Sequence, residues 1–208
     1  MKKTVKLGLA ILSLSSITSI ANAATPGAYL GLGLGGSRIE SANEDLISGT
    51  NLRNTRTLGG LGGRVFAGYN FNRYFGVEAG FAKYADSKYT TTSTVDSSYA
   101  TLKDTMNAFD LVGKAYLPIA DSGFNVYALG GAARVNATQK TTIGGDSMTF
   151  TQTETAHKIR PVYGLGASYD VTEHVTTNLE FSHINGTGKY SATPSANLLT
   201  LNLAYNFG

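Results

Sequence analysis

At the carboxyl end, "LTLNLAYNF" puts Leu199, Leu201, Leu203, Tyr205 and Phe207 on one side of an extended chain, with Thr200, Asn202, Ala204 and Asn206 on the other. Alternation of this kind marks a β-strand, because residues i and i+2 share a face. The pattern recurs along the chain. Ala28, Leu30, Leu32 and Leu34 oppose Tyr29, Gly31 and Gly33; Val65, Ala67, Tyr69 and Phe71 oppose Arg64, Phe66, Gly68 and Asn70. Phe75, Val77, Ala79 and Phe81 oppose Gly76, Glu78, Gly80 and Ala82; Phe109, Leu111, Gly113, Ala115 and Leu117 oppose Asp110, Val112, Lys114 and Tyr116. In "VYALGGAARV", Tyr127, Leu129, Gly131, Ala133 and Val135 form the more apolar side against Val126, Ala128, Gly130, Ala132 and Arg134. Two further stretches, 163–170 and 175–182, alternate in the same way.

These segments predict about eight strands of roughly ten residues, the length a tilted strand needs to cross a bilayer. The side opposite the apolar one is rich in Gly, Ala, Ser and Asn, which suits a narrow interior, while Leu, Val, Phe and Tyr suit lipid. The connections alternate. Short turns fall near "NFNRY", "IADSGF" and "DVTEH"; long polar segments run near 37–54, 86–105, 136–155 and 185–196. The expected fold class is therefore all-β, a transmembrane eight-stranded up-and-down antiparallel β-barrel. Gly144-Gly145 between Thr-rich flanks suggests that the third long segment is itself a hairpin. Tyr69, Phe71, Phe75, Tyr169, Tyr205 and Phe207 cluster beside the short turns and the chain end, as an aromatic belt at one membrane interface does. The ordinary preference of aromatics for strands is the simpler alternative.

Composition sharpens this picture. The first residues carry Lys2, Lys3 and Lys6, an apolar run from Leu7 to Ile20, and small residues before Ala23. This is the layout of a secretory signal peptide, expected at 1–23, with a barrel domain over 24–208. The whole chain holds 17 Lys+Arg against 14 Asp+Glu; removing three signal lysines leaves the two signs equal. Nucleic-acid binding is therefore not expected. With no Cys there are no disulfides and no thiolate chemistry. Gly31, Gly33 and Gly36 fit a dinucleotide-binding pattern, but that fingerprint needs a preceding strand and a following helix. Here a cleavage site precedes them and a polar segment follows.

The segments "RVFAGYNFNRYFGVEAGF", "GKAYLPI", "VYALGG", "RPVYGLGASYDVTEHVTTNLEF" and "LNLAYNFG" together resemble the OmpA-type eight-stranded outer-membrane barrels. The likeness extends over the chain beyond residue 23 and lies in the order and spacing of these segments. It implies a Gram-negative outer-membrane location and passage through the barrel assembly machinery. Tyr205 and Phe207 would belong to the family's carboxyl-terminal assembly signal. The chain is expected to be a barrel-only member, with no periplasmic peptidoglycan-binding domain.

The inferred lumen holds Arg64, Glu78, Asp110, Lys114, Arg134 and Glu180, and buried charges need partners. The resemblance places Glu78, Lys114 and Glu180 in a lumenal salt-bridge network linked to gating, with Ser168 and Asn178 replacing two other members. Two readings stay open, a polar plug that holds the barrel together and a narrow pore for water, ions or small solutes. The Ser/Thr-rich loops read as soluble spacers or as an adhesin-like contact surface for host or other cells. A lipid A-modifying enzyme is the remaining alternative. His183 is its candidate base, but the adjacent Ser182 falls on the opposite strand face. No catalytic set, metal site or cofactor is expected. The expected partners are outer-membrane lipid and lipopolysaccharide, and the expected state is a monomer.

Overall fold

The computed structural model describes residues 26–40, 52–57, 59–120, 122–145, 148–186 and 194–207. The expected signal peptide and most of the fourth long segment lie outside these residues. Ten strands are formed: β1 (Gly27–Glu40), β2 (Leu52–Thr57), β3 (Gly60–Asn70), β4 (Phe75–Lys83), β5 (Ser87–Ser93), β6 (Tyr99–Pro118), β7 (Phe124–Gly144), β8 (Thr149–Asp170), β9 (Val175–Ile184) and β10 (Ser195–Asn206).

Eight of them close a ring in the order β1-β3-β4-β6-β7-β8-β9-β10, and β10 pairs back onto β1. Every pairing is antiparallel. Closure leaves no free edge within the ring, as the interior of a bilayer demands, because no water is present there to satisfy open backbone groups. The last strand is fastened to its end, where the Phe207 amide donates to the Ala28 carbonyl at 2.9 Å.

The short turns are held locally. Asn72 Oδ1 accepts from the amides of Tyr74 and Phe75 at 2.8 and 2.9 Å, closing the β3–β4 turn. Thr172 Oγ1 does the same for His174 and Val175 between β8 and β9. Between β6 and β7 the chain passes through the left-handed region at Ala120 (φ 49°) and Gly123 (φ 74°).

The outward side carries Leu30, Leu32, Leu34, Val65, Leu111, Leu165, Leu179, Leu201 and Leu203, all exposed in the isolated chain. So large an apolar surface is a lipid-facing girdle, not the exterior of a soluble protein. In β7 the faces are the reverse of the sequence expectation. Tyr127, Leu129, Ala133 and Val135 point inward and are buried, while Val126 and Arg134 face out. The reason is that both sides of β7 are apolar, so alternation alone does not say which side is larger than the lumen can hold. The lumen itself decides, because at the long-loop end it is filled with apolar side chains.

The polar connections are also more ordered than their composition suggests. The stretch 86–105 contains β5 and the start of β6, and 136–155 is the continuation of β7 and β8 as a hairpin. β2 pairs with β5, β5 with β6, β6 with β7 and β7 with β8. A polar antiparallel sheet thus rises beyond the ring. Cross-strand threonines line it, with Thr90 and Thr101 hydroxyls 3.3 Å apart and Thr138 and Thr155 at the same distance. Thr favours strands through its branched β-carbon whatever its polarity.

Candidate functional site in the barrel lumen

The lumen is built in three tiers. At the short-turn end it is polar, lined by Asn70, Ser168, Asp170, Thr176, Asn178 and Asn206. About 30 Å³ of open cavity remains there, room for one or two waters.

Above this tier the charges converge. Arg64 on β3, Glu78 on β4, Asp110 and Lys114 on β6 and Glu180 on β9 are all buried. Arg64 Nη2 stands 2.9 Å from Glu78 Oε1 and 3.2 Å from Asp110 Oδ1, and Arg64 Nη1 pairs with Glu180 Oε1. Lys114 Nζ lies 2.6 Å from Glu78 Oε2 and 3.1 Å from Glu180 Oε2. Each glutamate therefore bridges the two cations, and the network spans opposite walls of the ring. Two phenols complete it. Tyr29 donates to Glu78 at 3.0 Å, and Tyr127 donates to Glu180 at 2.8 Å and contacts Asn178 Oδ1 at 3.1 Å. Phe66 lies under both cations, its ring centre 5.1 Å from the Arg64 guanidinium and 5.6 Å from the Lys114 ammonium.

The third tier, toward the long loops, is apolar. Ile39, Met106, Ala108, Val135, Val162, Ile184 and Leu198 form one buried cluster inside the ring. This tier was not anticipated from sequence, which pointed to a wholly polar interior.

Glycines make room for the large inward side chains. A β-carbon on Gly31 would sit 2.3 Å from the Phe66 ring, and one on Gly68 or Gly166 would sit 2.3 Å from the ring of Tyr29 or Tyr127. Gly80 leaves the space taken by the Arg64 guanidinium, 2.6 Å from where its β-carbon would be. Each aromatic lies across from its glycine in the paired register, Tyr29 with Gly68, Phe66 with Gly31 and Tyr127 with Gly166. The glycines of "YLGLGLGG" serve packing, and no phosphate-binding loop is present at them.

Of the sequence-expected lumenal charges, Arg134 alone is elsewhere. It lies on the outward face of β7, exposed, opposite Ile159 on β8 and Phe109 on β6. It was assigned inward because it opposed the larger apolar residues of β7, and that side turned out to be the lumenal one. Tyr127 was missed for the same reason. The aromatics Tyr69, Phe71, Phe75, Tyr205 and Phe207 are exposed at the short-turn end and Tyr169 is half-buried there. They meet in pairs, Tyr69 with Phe71 (5.6 Å), Tyr205 with Phe207 (5.1 Å), and Tyr169 with Phe124 (4.5 Å).

His183 faces outward, its Nδ1 2.7 Å from Asn197 Oδ1 and its ring 5.2 Å from that of Tyr163. Ser182 is buried on the lumenal side, so the two do not form a nucleophile–base pair. Among the described residues no group of three His, Cys, Asp or Glu side chains could hold a metal ion.

A family model described as "Outer membrane protein beta-barrel domain" matches residues 7–207. An uncharacterised protein of Coxiella burnetii is 31% identical, the match covering 74% of this chain and 71% of that one. Outer membrane protein A of Shigella flexneri is 29% identical over 71% of this chain, and the match spans only 40% of that longer protein. Among solved structures, Neisserial surface protein A (NspA) superposes with a TM-score of 0.54 at 15% identity, over 87% of this chain and 97% of that one, a likeness of fold.

Proposed function

This chain belongs to the outer membrane protein beta-barrel family and resides in the Gram-negative outer membrane, and from that premise we propose that it is a sealed, surface-displaying barrel rather than a pore. In this reading residues 1–23 direct export and are removed. The short turns and the aromatic belt face the periplasm, and the long strands rise outward.

The observation that carries the reading is the stacking of two plugs. The ion-pair network crosses the lumen, and the apolar cluster above it leaves no polar path for ions to follow. A hydrated ion would have to separate Arg64 or Lys114 from carboxylates in a desolvated setting and then pass Ile39, Ile184 and Leu198. Buried ion pairs add little net stability compared with apolar packing, but breaking one leaves an uncompensated charge. The network therefore acts as a register device that ties β3, β4, β6 and β9 together.

Planar-bilayer recording tests this. The wild-type protein should give no discrete conductance steps, and Lys114→Ala should also stay silent because the apolar tier remains. Steps in the wild type that change in Lys114→Ala would establish the pore instead.

A second reading has its own support. The polar sheet of β2, β5 and the outer halves of β6, β7 and β8 is far larger than a turn requires. Continuous strands of 21 and 22 residues, at roughly 3.3 Å per residue, are about twice what crosses the lipid. That wall presents Thr, Lys and Arg side chains and an unpaired edge along Thr149–Arg160, the layout of an interaction surface. If shortening the β7–β8 hairpin leaves binding of intact bacteria to host cells unchanged, this reading is wrong.

A further inference from the structure

Arg134 stands where a cation is costly. Its row across the wall is Phe81, Phe109 and Ile159, the top of the lipid-facing girdle. An outward Arg costs about 2–4 kcal/mol at mid-bilayer and close to nothing at the interface, where it can reach lipid head groups. The neighbouring outward row, one step toward the loops, is polar throughout: Lys83, Asn107, Asn136 and His157 pair in register across β4, β6, β7 and β8. Its members are already ordered. Asn136 Nδ2 donates to Asn107 Oδ1 at 2.9 Å, and His157 Nδ1 lies 2.6 Å from Asn136 Oδ1. Among the described residues neither Lys83 nor Arg134 is in an ion pair, whereas the nearby Lys103 is held by Asp86 at 2.7 Å.

Strands lie ~4.8 Å apart, so the backbones of Lys83 and Arg134, two strands and one row apart, are separated by roughly 12 Å. Two long side chains can close on groups placed between them. Directly below Lys83 the outer wall is recessed. Leu32, Leu34, Leu61, Val65 and Phe81 surround an open apolar groove of about 750 Å³ with Gly62 and Gly63 in its floor, and Lys83 stands at its upper rim. An apolar groove capped by cations at the interface matches one kind of occupant, an acyl chain continuous with a phosphorylated head group.

We propose that this outward face of β3, β4, β6 and β7 is a binding site for a phosphorylated, multiply acylated glycolipid of the outer leaflet. Lys83 and Arg134 take its phosphates, the Asn107–Asn136–His157 ladder takes its sugar hydroxyls, and the groove over Gly63 takes an acyl chain. The choice of leaflet rests on the orientation proposed above; the site itself depends on nothing in the lumen.

The test uses the folded protein in detergent, with bound lipid counted by native mass spectrometry. Three probes are offered in turn: bis-phosphorylated lipid A, the same lipid A enzymatically dephosphorylated, and phosphatidylglycerol. Wild type should retain lipid A over both others. The double variant Lys83→Gln/Arg134→Gln should retain it roughly tenfold less or weaker still, the scale expected for removing two interfacial cations. Arg73→Gln, an exposed cation at the opposite end, should retain it as wild type does. Equal retention by the double variant, or of dephosphorylated lipid A, overturns the site. Equal retention of phosphatidylglycerol overturns the glycolipid assignment. Both side chains are exposed, so the variants should fold, and the mobility difference between unheated and boiled samples on a gel checks that they do. Whole-cell labelling of Gly145→Cys with an impermeant maleimide reports orientation separately, so a wrong orientation and a wrong site give different results.

Discussion

Arg64 and Arg134 are separated by the thickness of one barrel wall, and that wall sets opposite consequences for removing them. Arg64 faces three carboxylates in a desolvated lumen. Arg64→Gln should lower unfolding stability by about 3–5 kcal/mol, because Glu78, Asp110 and Glu180 would be left with Lys114 alone. Arg134→Gln should change it by less than about 1 kcal/mol, as expected for an exposed interfacial side chain. Urea titration in lipid vesicles, read by gel mobility, compares the two directly. Gly166→Val probes the space these charges depend on. Its side chain would enter the Tyr127 ring and lift the phenol from Glu180, and overpacking of this kind costs about 1–3 kcal/mol. Leu165→Val, one residue away on the lipid face, should be nearly silent in the same titration. At this scale the network was largely legible from sequence. Each of Arg64, Glu78, Asp110, Lys114 and Glu180 sits in a strand whose two faces differ sharply, so parity alone gives its side. Arg134 and Tyr127 sit in the strand whose faces do not differ.

At the scale of strands the same logic explains what sequence could and could not show. β1, β3 and β10 alternate between Leu or Val and Gly or Asn, and their apolar faces are the exposed ones. β7 combines Tyr, Leu and Val with Val, Ala and Gly, and only the shape of the filled lumen chooses between its sides. The outer halves of β6, β7 and β8 and the whole of β2 and β5 are polar on both faces, so alternation carries no signal and they read as loops. Their order comes from pairing in series, with Thr–Thr contacts and the Gln139 amide donating to Asp104 at 3.1 Å. These halves contribute little to the ring itself. Replacing residues 139–154 by a two-residue Asn-Gly turn should therefore leave the heat-dependent gel shift intact while releasing the outer half of β6 to hydrogen exchange. Loss of the gel shift would mean that the hairpin helps close the barrel.

At the scale of the molecule, closure and lumen filling act together. Closure satisfies the backbone in lipid, and the three tiers decide that the ring stays narrow and sealed. The account rests on knowing which side of each strand meets lipid, and the chain is well suited to measuring it, since it has no native Cys. Single cysteines carried through 124–136 and 199–207 can be spin-labelled in the folded, lipid-reconstituted protein and their collision rates with molecular oxygen recorded. Oxygen access should peak at positions 126, 128 and 134 and at 199, 201 and 203, with minima at 127, 129, 133 and 135 and at 200 and 202. Peaks at 127, 129, 133 and 135, or rates that do not alternate, would contradict the inward plug and the lipid-facing Arg134 together.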